Sequence, residues 1–239
     1  MTLLQPPLPW TDVAALAVFV VLWLGYEPLV KRLSRGRGAL SRDMDVVRAG
    51  WMRTMLERAD TRLLDANLMG HTINSASFFA SANLILIAAA AGALFGGTDA
   101  ISSLASLDIT EPAPQWLFEL KLALVVLTLA RGLLDFIWAI RQMNYWLAAT
   151  GATPEAREPA ERARWAEALT ALLNPALTSF SAGVRAYYFA LAASAWLLGP
   201  LPFVLATAAA TLLLAWRSSK SRAALALRNV RSLLDEKNI

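Results

Sequence analysis

Charged side chains inside apolar stretches are the residues of this chain best suited to chemistry. Arg131 and Asp135 lie four residues apart in a long apolar run, so on a helix they share one face and can pair directly. Glu27 and Arg185 lie near the ends of two other apolar runs. An ionised side chain at the centre of a bilayer costs about 2.5–3.5 kcal/mol on insertion scales. Each of these residues therefore indicates a partner, a polar cavity or a function.

Two interpretations of this cluster stay open. In the structural one, buried ion pairs fix the order of the helices. In the functional one, the charges line a polar cavity that opens to the cytoplasm and binds an ion or a small solute. Arg131 lies about 22 Å along a helix from Trp116, which places it in the inner half of the membrane. Tyr188, three residues after Arg185, is included in the same candidate cluster.

A polar stripe enters another apolar run at spacings of three and four residues: His71, Asn74, Ser77 and Ser81. The stripe predicts either hydrogen bonds between helices, worth about 0.6 kcal/mol each on average, or a lining for the same cavity. His71 is the only histidine and the chain has no cysteine. A structural zinc takes four such ligands, so we predict no metal site.

Small residues repeat every four positions at Ala88, Gly92 and Gly96. This small-xxx-small ladder favours close helix packing, either within one chain or between subunits. Phosphate-loop, dinucleotide-binding, Gly-x-Ser-x-Gly and His-Glu-x-x-His patterns are absent from the sequence. The sequence therefore predicts neither an enzyme nor a bound cofactor.

The elements that position these residues are predicted to be membrane helices. Hydrophobic residues make up 57% of the 239 residues and charged ones 17%, against roughly 45–50% and 25% in soluble domains. The chain is basic, with a formal net charge of +4. In a membrane protein, such basic residues set orientation and meet anionic lipid headgroups, so we expect no nucleic-acid partner.

We predict an all-α helical bundle that forms a single membrane domain over residues 1–239. Five apolar runs approach the roughly 20 residues that cross a bilayer, at about 11–30, 75–95, 116–140, 183–198 and 203–216. Gly199 and Pro200 open a tight turn between the last two. Because those two runs are short, a re-entrant hairpin is the alternative.

Basic residues fall in alternate segments between these runs. Nineteen of the 22 lysines and arginines lie in Lys31–Leu68, Arg141–Ala182 and the tail from Arg217. The other connections contain none. The positive-inside rule then predicts an N-terminus outside and a cytoplasmic C-terminus.

Three amphipathic cytoplasmic helices are predicted. The first covers about 41–69, with an apolar stripe that extends from Met44 to Leu64. The second covers about 154–173, because Pro154 suits a first helical turn and Asn174-Pro175 suits an end. The third, about 217–236, continues the last apolar run. The sequence does not decide whether these helices lie on the membrane or project from it.

The segment Gly183-Val184-Arg185-Ala186-Tyr187-Tyr188-Phe189, followed by Trp196 and Gly199-Pro200, resembles the family catalogued as domain of unknown function 599. Phe78-Phe79-Ala80-Ser81 and Arg141-Gln142-Met143-Asn144-Tyr145 are similar to its bacterial branch. The resemblance covers roughly Tyr26 to Arg217. It implies a small helical bundle in a membrane of bacteria or plants, and it implies no activity and no catalytic residue.

Three hypotheses of function follow, in order of preference. The first is a structural or accessory membrane subunit without catalysis, either a homo-oligomer or part of a larger complex. The second is a small channel or transporter with a polar cavity facing the cytoplasm. The third is a lipid-modifying enzyme. The expected location is the plasma membrane, here a bacterial inner membrane, with membrane lipids including anionic headgroups as partners.

Overall fold

The computed structural model describes residues 8–33, 40–58, 62–96, 114–155 and 158–237, and these residues form helices without any strand. The helices are α1 (Trp10–Leu33), α2 (Leu40–Glu57), α3 (Arg62–Phe95), α4 (Gln115–Ala152), α5 (Pro159–Ser194), a short 3-10 helix (Ala195–Leu198), α6 (Pro200–Ser219) and α7 (Arg222–Lys237).

A long antiparallel pair, α4 and α5, forms the centre of the bundle. The two helices have 38 and 36 residues, which corresponds to about 57 Å and 54 Å. Both exceed the ~30 Å hydrocarbon core of a bilayer. The other helices attach to this pair: α3 packs on α4, α2 and α6 pack on α5, α1 packs on α6, and α7 packs on α2.

Two apolar cores lie at opposite ends of the central pair. The core at the Trp196 end joins α1, α4, α5 and α6, and its rings of Phe19, Trp196 and Phe203 are fully buried. The core at the Trp146 end joins α2, α3, α4 and α5 around Trp146 and Met52. Of these helices, α4 and α5 contribute to both cores, whereas α2 and α3 contribute buried residues to the second one.

Glycine brings α4 and α5 into close contact between the two cores. A Cβ atom on Gly132 would lie 2.5 Å from the Cβ of Ala186, and one on Gly183 would lie 2.7 Å from the ring of Phe136. Phe136 in turn stacks on Phe79 of α3, with ring centroids 5.9 Å apart. Only residues without a side chain fit at this crossing.

Two polar contacts attach α3 to the central pair. Asn83 is buried, and its amide donates a hydrogen bond of 2.9 Å to the carbonyl oxygen of Leu129. The hydroxyl of Tyr187 donates one of 2.5 Å to the carbonyl oxygen of Phe79. Both acceptors belong to helix backbones, so these bonds position α3 without needing a second polar side chain.

The prediction of one helix over 41–69 is wrong. Helix α2 ends at Glu57, and α3 begins at Arg62 and continues without a break to Phe95. The side chains of Trp51 and Arg58 both donate to Asp65, at 2.6 Å and 3.1 Å, which folds the start of α3 back against α2. Leu64 is consequently exposed instead of continuing the apolar stripe of α2.

The prediction that a helix ends before Pro175 is also wrong, since α5 runs through Pro175 from Pro159 to Ser194. Proline removes one backbone hydrogen bond, but α5 packs against α4, α2 and α6. Tertiary packing therefore outweighs the local break.

The predicted helix over 217–236 is divided as well, because α6 continues to Ser219 and α7 begins at Arg222.

Among the described residues, four helical stretches are long and apolar enough to cross a membrane: Trp10–Pro28, Arg62–Phe95, Gln115–Ala152 and Pro200–Glu236. They overlap the predicted runs at 11–30, 75–95, 116–140 and 203–216. The predicted run at 183–198 is not among the four. It forms the end of α5 and the 3-10 helix, and it contains Arg185 and two tyrosines, which lower its hydropathy.

Gly183→Ala tests the glycine crossing. We expect this variant to lose about 1–3 kcal/mol of stability, because the added methyl group overlaps the ring of Phe136. Thermal unfolding in detergent micelles measures the effect. Gly70→Ala on α3 is the matched control: its Cβ meets nothing within 4 Å, so it should unfold at the same temperature or higher. Equal midpoints for both variants would contradict a tight crossing.

Candidate functional site

The four charged residues singled out from the sequence lie together between the two cores. Arg131 Nε is 3.5 Å from Asp135 Oδ2 within α4, and Arg185 Nη2 of α5 is 3.7 Å from Glu27 Oε2 of α1. The guanidinium of Arg185 also lies over the ring of Tyr26, 5.7 Å from its centroid. The fold therefore joins three helices through one group of alternating charges.

These four residues line a cavity of about 110 Å³ between α1, α4 and α5, here named the ion-pair cavity. Its remaining walls are mainly apolar and include Trp23 and Phe189. Arg131 remains 57% exposed, so the cavity is not sealed within the bundle. Its two cations and two carboxylates balance, which suits a neutral or zwitterionic group or water better than a single ion.

A larger cavity of about 520 Å³ adjoins it between α1, α2, α5 and α6 and is named the arginine cavity. Tyr26, Glu27 and Arg185 line both cavities and separate them. The arginine cavity is distinguished by three arginines from three helices: Arg48, Arg185 and Arg217. Hydroxyl groups and apolar side chains complete its lining, among them Ser41, Met44, Leu177, Thr178, Phe180, Ser181, Val184, Tyr188, Leu214 and Ser218.

Each arginine of this cavity has a defined contact. Arg48 Nη1 donates to Asp45 and Asn174, both at 3.2 Å, which ties α2 to α5 beside Pro175. Burial lowers the pKa of the Arg48 guanidinium, and the nearby Asp45 opposes that shift. Arg217 donates to the hydroxyl of Tyr188 and lies over its ring. Tyr188, placed in the candidate cluster from sequence, thus lines the arginine cavity.

The polar stripe does not reach either cavity. His71, Asn74, Ser77 and Ser81 are all exposed on the outer side of α3, because α3 turns Met69, Ala76 and Asn83 toward α4. The interpretation in which the stripe lines the same cavity as Arg131 is contradicted. These four side chains form no hydrogen bond to another helix within the part of the chain that the structure describes.

The small-residue ladder faces the same way as the polar stripe. Ala88, Gly92 and Gly96 are exposed, and a Cβ on Gly92 would meet nothing within 4 Å. Packing of this ladder within the described residues of one chain is therefore contradicted. Close packing inside the chain uses Gly132 and Gly183 instead, neither of which belongs to a small-xxx-small repeat with another glycine.

Two buried carboxylates join helices α2, α3 and α7. They were not predicted from the sequence. Asp43 of α2 is 1% exposed and accepts from Arg231 of α7 at 2.9 Å. This hydrogen bond raises the pKa of Arg231. Asp65, also 1% exposed, joins α3 to α2 as described above. Both acids lie in arginine-rich stretches of the sequence, and a run of mixed charges predicts solvent exposure. Nothing in the neighbouring residues therefore marks these two acids as buried.

A second polar group missed from sequence lies at the Trp196 end. The Trp196 indole donates 2.7 Å to Asp12 of α1, which is 4% exposed. Lys121 of α4 is 1% exposed, with its Nζ 6.0 Å from the Trp196 ring centroid. The group ties α1 and α4 to the 3-10 helix. Within the described residues, no cluster of three or more His, Asp or Glu side chains is arranged to hold a metal ion.

Comparison with known proteins gives one match. A sequence model of a protein family described as "Protein of unknown function, DUF599" matches residues 14–223. No curated protein and no solved structure matches the chain. The match covers both cavities and all four charged residues of the ion-pair cavity.

The Arg131–Asp135 pair is tested by single and double replacement. Arg131→Leu or Asp135→Leu alone should lower stability, because each leaves a charge in the membrane without its nearest partner. The double variant should be more stable than either single one. Thermal unfolding of protein extracted from membranes measures all three. Unchanged stability in both single variants would exclude a structural role for the pair.

Proposed function

Since the chain belongs to the DUF599 family of proteins of unknown function, we propose from its own geometry that it is a non-catalytic membrane protein that assembles with a second copy of itself. The outward orientation of α3 is the observation that carries this proposal. We place the protein in the plasma membrane, which for a bacterial member is the inner membrane.

The proposed topology has five spans with the N-terminus outside. Three are the candidate spans Trp10–Pro28, Arg62–Phe95 and Gln115–Ala152, the fourth is α6, and the fifth is the part of α5 that faces the Trp196 end. The central pair α4–α5 supports this count, because α5 packs along α4, so both partners lie at the same membrane depth. Arg231 of α7 donates to Asp43 of α2, and Arg62 of α3 donates to the carbonyl oxygen of Pro154. These basic residues lie toward the Trp146 end, which we propose as the cytoplasmic end.

Single cysteines at the two ends of α4 test the orientation. The chain has no cysteine of its own, and Gln115 and Glu155 are both exposed. With intact cells, a membrane-impermeant maleimide should label Gln115→Cys and should label Glu155→Cys only after the membrane is opened. The reverse pattern would overturn the orientation. Labelling of both residues from outside would show that α4 does not cross.

The outer side of α3 has the character of a helix–helix interface. The α3 outer face is defined as His71, Asn74, Ser77, Ser81, Ala88 and Gly92, all exposed. Its lower part offers hydroxyl, amide and imidazole groups that gain from partners in a medium without water. Its upper part offers small residues that let two backbones approach closely. The exposed side chains of Phe78 and Ile85, spaced between these residues, add apolar surface to the face.

A second copy of this chain is the proposed occupant. A two-fold axis beside α3 brings the same face of both copies together, so donors and acceptors meet in a self-complementary way. Small residues then oppose small residues, as in close-packed membrane helix dimers. In each chain α3 attaches to the bundle mainly through α4, which leaves this face available to the partner.

Gly92→Leu should abolish the assembly, because a large side chain prevents close approach of two α3 helices. Gly25→Leu on α1 is the matched control, since a Cβ at either glycine meets nothing within 4 Å among the residues that the structure describes. Subunit counting by single-molecule photobleaching in native-membrane nanodiscs should give oligomers for the control and monomers for Gly92→Leu. Oligomers of unchanged size in Gly92→Leu would refute assembly through α3.

The two adjoining cavities favour transport of a small solute as a second candidate function. They meet at Tyr26, Glu27 and Arg185, midway along the bundle. One observation opposes a transport path through the bundle. The Trp196 end is filled by the buried rings of Phe19, Trp196 and Phe203. If the protein is a transporter, Asp135→Asn should abolish solute flux into proteoliposomes while the variant inserts and folds normally.

A further inference from the structure

The arginine cavity has more hydrogen-bond donors than its own carboxylates use. The Nε atom of Arg48 is buried and has no hydrogen-bond partner among the described residues. Within this part of the chain, the guanidinium of Arg217 has no carboxylate within 4.0 Å, and it donates to the hydroxyl of Tyr188 and lies over its ring. Guanidinium groups present paired N–H donors that match the oxygens of a phosphate. The cavity is thus prepared for an anion with several oxygen acceptors.

The charge of the lining favours an anion as well. Three arginines face two carboxylates, Glu27 and Asp45, so the lining has one positive charge in excess. Leu40 and Ser41, in the first turn of α2, also line the cavity. The N-terminal end of an 18-residue helix adds partial positive charge at that point.

The position of the cavity matches the headgroup region of a membrane. Glu27 and Arg217 are the first charged residues after the apolar runs of α1 and α6. Apolar side chains, among them Met44, Leu177 and Leu214, form part of the same wall. A volume of about 520 Å³ accommodates a lipid headgroup and its glycerol, though not the acyl chains.

We infer that the arginine cavity binds a phosphate group, with Arg48, Arg185 and Arg217 as its ligands. The phosphate of an anionic phospholipid headgroup is the source that the apolar wall favours, and free inorganic phosphate is the other source of the same chemistry. This site is separate from the α3 outer face, so it does not depend on assembly.

Native mass spectrometry of the full chain in detergent tests the site. The probes are phosphatidylglycerol, phosphatidylcholine with identical acyl chains, and inorganic phosphate. The wild-type protein should prefer phosphatidylglycerol. Arg217→Gln should weaken phosphatidylglycerol binding about tenfold or more, the scale of one lost charge-assisted contact. Binding of phosphatidylcholine should not change.

Arg141→Gln is the matched control. Arg141 contacts the hydroxyl and ring of Tyr145 as Arg217 contacts Tyr188, both at 5.8 Å from the ring centroid, but Arg141 lines neither cavity. If Arg217→Gln fails to fold, Arg217→Lys retains the charge and loses the paired donors, and it should show a smaller loss of phosphatidylglycerol binding.

The results distinguish three cases: a lipid headgroup as the ligand, inorganic phosphate as the ligand, and no phosphate site at all. Preference for phosphatidylglycerol that inorganic phosphate does not displace identifies the lipid headgroup as the ligand. Displacement of the lipid by millimolar inorganic phosphate supports the same site with a soluble ligand. Equal binding of both lipids with no phosphate binding overturns the inference. Equal losses in Arg217→Gln and Arg141→Gln overturn it too, since the effect would then follow overall charge.

Discussion

The close approach of α4 and α5 at Gly132 and Gly183 is the contact on which the rest of the structure depends. With hydrogen atoms in place of side chains, the two backbones come near enough for Phe136 to pack on Gly183 and for Ala186 to pack on Gly132. Inside a membrane, association of helices relies on such packing, because lipid tails are as apolar as the helices. The two apolar cores form on either side of this crossing.

The same crossing explains why charged residues are tolerated at this depth. Arg185 lies two residues after Gly183, so it points into the space between α5 and α1, where Glu27 pairs with it. Asn83 reaches a backbone carbonyl of α4 beside Gly132. Arg185 and Asn83 thus both lie next to the glycines of this crossing. The two cavities occupy the space that α1 and α2 leave around this crossing.

Much of the fold is visible in the sequence, but its helix boundaries are not. Apolar runs locate membrane helices because hydropathy acts over whole segments, and the spacing of Arg131 and Asp135 reveals their pairing. Helix ends depend on distant contacts instead. Pro175 suggested a terminus that packing against α4 and α2 overrides. One long amphipathic helix was expected, but α2 ends at Glu57, and Asp65 of α3 accepts hydrogen bonds from Trp51 and Arg58. The sequence also could not show that the His71 stripe faces outward. The side of α3 that faces inward is the one with Asn83, which donates a hydrogen bond to a carbonyl oxygen of α4.

The buried carboxylates Asp43 and Asp65 change the electrostatic role of the basic residues near them. Arg58 and Arg231 bind Asp65 and Asp43, while Arg62 donates to the carbonyl oxygens of Thr153 and Pro154. In the unfolded chain all three side chains are cations in contact with solvent. After folding, their charge is neutralised or directed inward. The folded surface therefore presents fewer unpaired cations than the sequence contains.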